Sequence, residues 1–252
     1  MNDKSSTFIR SGQELTAFEY LDSRIRDWAL EEGSEEQSFP VLIAAETLRR
    51  AEYPNAFPHL LMAPAVAADP AQPMTRKNVF LTETFLSPAV CYHAYAQLAG
   101  ATLSRGRTLT ARGHCFRNEE VSALVPGRRQ IEFEMRELIL IGIPDWIEER
   151  LTHLKAGVET LAGAFGLEAE WQPANDPFFL PSAQGKAHLQ RLLGTKIEFC
   201  LRDGLAIASI NRHRAFFGER FGIFAGGGAP SHSACVAFGL DRWAAHATRQ
   251  NL

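Results

Sequence analysis

Two apolar-rich stretches, KIEFCLRD (196–203) and LAIASINR (205–212), flank Gly204, and Asp203-Gly204 is a favoured pair for a two-residue hairpin turn. Counting outward from that turn predicts Glu198 opposite Ser209 and Lys196 opposite Asn211, with all four on one face. Ile197, Phe199 and Leu201 then share the other face with Ala206, Ala208 and Ile210. The apolar side must pack on helices, and the polar side looks into a cleft. A longer hairpin follows the same logic. TLTARGHCFRNE (108–119) and RRQIEFEMRELILIG (128–142) are extended stretches separated by a loop carrying Pro126-Gly127. Strands that come in hairpins, not in alternation with helices, predict an α+β fold with an antiparallel sheet flanked by helices.

Helical spacing elsewhere supplies the flanking layer. Residues 13–31 read as an amphipathic surface helix, joined by an acidic, turn-rich link to a second helix over 41–52 that Pro54 and Pro58 end. HLLMA (59–63) reads as a short strand, 67–78 as a polar loop, and 88–103 as a helix. The clearest helix is 146–165, where Ile147, Leu151, Leu154, Val158, Leu161 and Phe165 form one stripe. Asp145 is its expected N-cap, with Glu148 three residues on, and Gly166 its expected C-terminal cap. A glycine-rich run over 225–247 leads into a last helix. The expected organisation is an N-terminal helix and acidic linker (1–37) packed on one catalytic-sized domain (38–252).

With 252 residues, 46% of them hydrophobic, the chain can bury a core that needs no disulfide or structural metal. Its 26 Lys and Arg against 29 Asp and Glu leave a net charge of −3, so no global field favours nucleic acid or anionic lipid. No apolar run approaches the roughly 20 residues that span a bilayer, and MNDKSSTFIRSGQE holds no secretory core, so the expected location is cytoplasmic with no membrane partner. Cys91, Cys115, Cys200 and Cys235 are widely separated; buried small side chains are the plain reading of them.

Several residues do not fit a purely structural role. Arg117 and Glu119, two apart on the first hairpin, are expected on one face, where an arginine can hold phosphate and a carboxylate can accept from an amine; a surface ion pair is the alternative. On the return strand Ile131, Phe133, Met135, Glu137, Ile139 and Ile141 share one face by strict alternation. Glu137 interrupts that apolar face, and a carboxylate there is costly unless paired or metal-bound. Gly239-Leu240-Asp241-Arg242 opens the last helix, with an arginine near a helix start where phosphate can bind.

The order Phe116-Arg117-Asn118-Glu119, a loop, Arg129 and Glu132-Phe133, then a late Gly-x-x-Arg242 resembles motifs 2 and 3 of class II aminoacyl-tRNA synthetases. The segment 41–63 is similar to motif 1, the usual dimer element, so the resemblance implies a homodimer. Around Cys91, Glu137 and Cys235, the stretches LSPAVCYHAY, RQIEFEMRELILIG and SHSACVAFGLDRW resemble the amino acid:[carrier protein] ligases, homologues of the atypical, zinc-containing seryl-tRNA synthetases. This resemblance implies that Cys91, Glu137 and Cys235 hold Zn2+, with Glu134 as reserve ligand, and that the fourth zinc position takes the amine of the substrate. It implies ATP-dependent formation of an aminoacyl-adenylate, with Arg117 at the α-phosphate, Phe116 supporting it, Glu119 at adenine, Arg129 near the triphosphate, Arg242 at the γ-phosphate, and Mg2+ bridging the phosphates. Ser209 and Asn211 are candidate substrate contacts. Ala206 stands where ordinary seryl enzymes carry a magnesium glutamate, which leaves Glu198 as the candidate magnesium ligand.

The implied substrate is a small amino acid, glycine or alanine, and the implied acceptor is the phosphopantetheine thiol of an acyl or peptidyl carrier protein. The net acidic chain and the short region before motif 1 favour that acceptor over tRNA, with Arg105, Arg107, Arg112 or Arg128-Arg129 as candidate contacts to an acidic carrier. A minimal aminoacyl-tRNA synthetase, an adenylate-forming ligase with another acceptor, and a non-catalytic paralogue are the alternative readings.

Overall fold

The computed structural model describes residues 9–174 and 194–247. The reading of the first eight residues as free of a secretory signal lies outside the described residues. The chain begins with α1 (Gly12–Glu31), which buries Phe18, Leu21, Ile25 and Ala29, and continues through the short strand β1 (Glu35–Glu36). The expected helix over 41–52 is instead β2 (Leu42–Ala44) followed by α2 (Ala45–Arg50) and the single turn α3 (Tyr53–Ala56). Strand pairing overrides helical spacing there, because Ile43 lies opposite Phe85 and is buried. The expected strand over 59–63 is also absent: Pro58–Leu60 is one turn of 3-10 helix. The Met62 and Pro64 carbonyls accept from the Leu86 and Thr82 amides, but Pro64 has no N–H to extend this into a ladder.

β3 (Ala65–Ala67) and β4 (Val79–Leu81) form a hairpin around the expected polar loop, and β5 (Thr84–Leu86) pairs with β2. Then come α4 (Cys91–Gln97), β6 (Thr102–Leu103), β7 (Arg107–Phe116) and β8 (Glu132–Gly142). Within the expected helix of 88–103, only α4 is α-helical. α5 (Pro144–Ala164) carries the predicted stripe, but Ile143 is its N-cap and Asp145 sits in the first turn. Proline at the first helical position explains the shift, since its missing donor and fixed φ suit that place. Gly166 takes a φ of 68° and lets the Leu167 amide return to the Ala162 carbonyl at 2.9 Å, which closes the helix.

β9 (Ala169–Pro173), β10 (Lys196–Leu201), β11 (Ala206–Arg214), the helix Phe216–Phe221, β12 (Phe224–Ala225), β13 (Ala229–Pro230), β14 (His232–Gly239) and the last helix Leu240–His246 complete the described chain. The main sheet has seven strands in the order β1-β7-β8-β14-β11-β10-β9, antiparallel except at β1. Lys196 lies opposite Asn211 and Glu198 opposite Ser209 as expected, but the turn is not the expected two-residue one. The Leu201 amide reaches the Leu205 carbonyl at 3.0 Å across Arg202, Asp203 and Gly204. A bulge at Phe199 and Cys200 sets Cys200 opposite Ala206, so Ala206 lines the cleft and Ile207 joins the larger core.

Alternation divides the two faces. Leu138, Leu140, Ala234, Val236, Phe238, Phe199 and Ile210 pack with α1, α5 and Trp243 in the larger core. Ile139, Ile141 and Leu109 point the other way, into a smaller core with α4 and the helix Phe216–Phe221. The candidate site residues Glu137 and Cys235 occupy this second face, alternating with Leu138, Ala234 and Val236 of the larger core.

Under α1 lies a buried ion network. Arg136 donates to both carboxylate oxygens of Asp22 at 2.7 and 3.0 Å, and Arg112 donates to Glu134 at 2.6 Å. Asp22 and Arg136 are 5% and 2% exposed, so removing one charge strands the other. Asp22→Ala is expected to cost about 3–5 kcal/mol in urea unfolding. Glu159→Ala, which breaks the exposed pair with Lys155, should cost less than about 0.5 kcal/mol.

Candidate active site

Three side chains far apart in sequence converge on the second face. Glu137 comes from the middle of β8, Cys235 from β14, and Cys91 from the first position of α4, and their ligand atoms lie within 4.8 Å of one another. Cys235 lies opposite Ile139 and Glu137 opposite Ala237, so the two are diagonal neighbours across one strand pair. All three are buried.

One oxygen of Glu137 accepts the Val90 amide at 3.1 Å; the other is buried with no hydrogen-bond partner. Burial, followed by the charge of Cys235, pushes the Glu137 carboxyl up to about 8. The two thiols split. A hydrogen bond from Cys91, helped by His213 and Asn211, holds Cys235 well below the usual thiol range, while donating that bond and being buried push Cys91 well above it. Two sulfurs and a carboxylate oxygen left orphaned in a dry site are a donor set that fits zinc, and three protein ligands leave one tetrahedral position open. Glu134 does not join them. It lies on the other face, three residues along the strand, and its carboxylate is held by Arg10 at 2.8 Å and Arg112 at 2.6 Å.

The cleft beside this cluster has a volume of about 600 Å³, a size suited to small-molecule sites. Arg117, Glu119, Arg129 and Arg242 line it, with Ser209, Asn211 and Glu198 on the β10–β11 wall. Arg117 and Glu119 do not share a strand face as expected, because β7 ends at Phe116. The Arg117 amide reaches the Ile131 carbonyl at 2.9 Å, and the Glu119 amide turns back to the Arg117 carbonyl at 2.8 Å. This turn, not alternation, brings both side chains to the cleft. The Arg117 guanidinium stacks over Phe133 and reaches the Pro88 carbonyl at 3.3 Å, and Glu119 accepts from Arg129 at 3.2 Å.

Arg242 donates to the carbonyls of Arg128 at 2.9 Å and Ala206 at 2.6 Å. Burial, then the charge of Arg117, lowers its pKa. Asn211 donates to Ser209 at 3.1 Å and approaches the Cys235 sulfur at 3.6 Å, which ties the polar wall to the cysteine cluster. Glu198 pairs with Lys196 at 3.0 Å.

Two residues escaped the sequence analysis. His213 places Nε2 3.9 Å from the Cys235 sulfur and Nδ1 3.1 Å from the Tyr95 hydroxyl. The alternation of Ser209 and Asn211, continued one step, points to His213; Tyr95 has no comparable signal. Of the arginines considered for a carrier, Arg107 pairs with Glu35, Arg128 with Asp203, and Arg112 belongs to the ion network under α1.

Comparison with known proteins now decides the family. No protein-family model matches the chain. Amino acid–[acyl-carrier-protein] ligase 1 of Bradyrhizobium diazoefficiens is 31% identical over 233 residues, which cover 85% of this chain and 71% of that protein. The chain belongs to the amino acid–[acyl-carrier-protein] ligase family. Ligase 2 of the same bacterium is also 31% identical over 233 residues, covering 69% of its length. A type-2 serine–tRNA ligase of Methanococcus maripaludis is 29% identical over 121 residues.

Solved structures place the fold of this ligase-family chain among the class II synthetases. M. kandleri SerRS, crystallised with A. aeolicus tRNASec, superposes on 95% of the chain with a TM-score of 0.78 and 22% identity. Prolyl-tRNA synthetase from Cryptosporidium parvum superposes on 96% with a TM-score of 0.72 and 12% identity. The ligase-family chain spans about half of each, 52% and 48%. Among the described residues no helix is long and apolar enough to cross a membrane.

Proposed function

We propose that the chain activates a small amino acid with ATP and transfers it to the phosphopantetheine thiol of a carrier protein. In the first half-reaction a substrate carboxylate oxygen attacks the α-phosphorus, the bond to the bridging oxygen breaks, and pyrophosphate leaves. In the second the acceptor thiol gives up its proton and its sulfur attacks the acyl carbon, displacing AMP. The observation that carries this reading is a single cleft lined both by Arg117, Glu119 and Arg242 and by the Cys91, Glu137 and Cys235 cluster.

Arg117 faces the α-phosphate and the substrate carboxylate, and a fixed guanidinium there stabilises charge as it develops. Its planar fork matches two phosphate oxygens at once. Glu119 accepts the adenine amino group, Arg129 and Arg242 hold the outer phosphates, and Glu198, which lines the cleft from β10, is the carboxylate offered to Mg2+. Cys91, Glu137 and Cys235 would hold Zn2+, which supplies a Lewis-acidic site for the substrate's free amine. Asn211 and Ser209 orient the substrate from the wall. Aromatic rings crowd that end: Tyr92 lines the cleft with Phe217, their centroids 5.9 Å apart, which supports a small side chain such as that of glycine or alanine.

The absence of a net positive charge supports a carrier protein over tRNA as acceptor. Exposed Leu42, Phe80 and Leu81 around the β2 and β3–β4 region support a homodimer built there, and a cytoplasmic location accords with free buried thiols. Amino-acid-dependent ATP–pyrophosphate exchange across the standard amino acids, followed by loading of phosphopantetheinylated carrier protein, tests the reading. Exchange with glycine or alanine and thioester formation on the carrier are expected. Exchange with no amino acid, or loading of tRNA in place of the carrier, would overturn it.

A further inference from the structure

The β11 strand does not end regularly. Arg212 lies opposite Ala234 and Arg214 opposite Ser233, so His213 is an extra residue bulged out of the ladder. Arg214 itself has a φ of 54°, the left-handed region that a side-chain-bearing residue enters only at a cost. A bulge re-aims side chains: Arg212 still pairs with Glu148 of α5, while the next two residues, His213 and Arg214, both line the cleft. Strain of this kind persists where the surroundings impose it, and glycine would relieve it, yet this position holds a long cation.

The electrostatics single out the same residue. Lys196, Arg128, Arg129 and Arg212 on the cleft wall are each paired with a carboxylate: Glu198, Asp203, Glu119 and Glu148 respectively. Arg117 and Arg242 rest on carbonyl oxygens. Arg214 is exposed, and its side chain makes no hydrogen bond, ion pair or ring contact among the described residues. An unpaired guanidinium held at a cleft rim is positioned for an anion that arrives from outside.

Position identifies which anion. β11 begins at Ala206, whose carbonyl receives Arg242, passes the cysteine cluster where Asn211 lies opposite Cys235, and reaches Arg214 last. Arg214 therefore lies beyond the cluster from the nucleotide end, roughly 25 Å along the strand from Ala206. ATP phosphates held by Arg117 and Arg242 do not reach it. The amino acid's own side chain would meet Tyr92, His213 and Phe217 before the exposed rim. A phosphopantetheine arm is about as long as four to five extended residues, roughly 15 Å from thiol to phosphate. Ser233, opposite Arg214, is two residues or about 7 Å from Cys235, and the arginine side chain extends the reach toward solvent.

We propose that Arg214 binds the phosphodiester of the acceptor's pantetheine arm and so admits the thiol from the side of the cleft opposite ATP. This rests on the carrier-protein reading above and adds to it the place where the arm enters. The test compares phosphopantetheine with pantetheine as free thiol acceptors, using the amino acid that supports pyrophosphate exchange. The wild-type protein is expected to prefer phosphopantetheine by about 10- to 100-fold in kcat/KM, the range of one charge-assisted contact. Arg214→Ala and Arg214→Gly should erase that preference and leave pyrophosphate exchange within about twofold. Glycine removes the left-handed strain, so Arg214→Gly should unfold no earlier than wild type, which separates lost recognition from lost folding.

A preference that survives both substitutions, equal use of the two thiols by the wild type, or a raised KM for the amino acid in the variants would overturn the proposal. Transfer to neither thiol nor to phosphopantetheinylated carrier would instead overturn the carrier reading on which it rests.

Discussion

Replacing Cys235 by alanine is expected to lower amino-acid-dependent pyrophosphate exchange by about two orders of magnitude or more, and to reduce bound zinc from about one per chain to nearly none. The sulfur is buried, it is the thiol of the pair that ionises first, and Cys91, Asn211 and His213 all point hydrogen-bonding groups at it. Alanine leaves Glu137 with the same orphaned oxygen and removes a soft donor, so the remaining Cys91 and Glu137 make a poor site. Cys115→Ala is the control. Cys115 is equally buried and lies in the same sheet, packed with Val90 and Ala111, but outside the cluster. It should keep its zinc and its exchange activity. Metal analysis of the two purified proteins, with exchange rates measured before and after chelation, decides the matter. Full zinc occupancy in the Cys235 variant would remove the cluster from the mechanism.

The fold that positions this cluster was legible where a local rule has a global consequence. Asp203-Gly204 marks the turn, and Lys196 with Asn211 and Glu198 with Ser209 fall where counting from it puts them. A three-residue loop and a bulge at Phe199 and Cys200 nonetheless lie between, and move Ala206 to the cleft and Ile207 to the core. Glu137 was legible as an anomaly, a carboxylate on a face otherwise apolar, but its partners were not. Cys91 and Cys235 reach it through α4 and a neighbouring strand, and no local spacing encodes a contact made through sheet order. Only the likeness of the surrounding stretches supplied those two residues.

Within the expected helix over 41–52, Ala45–Arg50 is helical, while Leu42–Ala44 fits helical spacing and strand pairing equally well and pairing with β5 decides for the strand. The alternation of Ser209 and Asn211 reaches His213 in one more step, but it does not reach Arg214, because the β11 bulge breaks it there and a bulge is a property of two strands together.

The nucleotide end carries the second large effect. Arg117→Ala is expected to lower the rate of adenylate formation by about 10²- to 10³-fold, the usual loss when one preorganised charge partner of a developing anion is removed. Arg117→Lys should recover little, because a point charge does not reproduce the planar fork that grips two phosphate oxygens. A urea titration of each variant accompanies the rate measurement, since Arg117 also donates to the Pro88 carbonyl and stacks over Phe133.

Arg242 should behave differently. It is half-buried, and its two short bonds to the Arg128 and Ala206 carbonyls join the last helix to the loop and wall, so its loss should raise the KM for ATP and lower stability together. Single-turnover measurement of adenylate at saturating ATP separates the two, since it reads the chemical step without the binding step. If Arg117→Ala leaves that rate within tenfold of wild type while raising the KM for ATP, Arg117 serves binding only, and the developing charge at phosphorus must be met by Arg129 or by the metal with ATP.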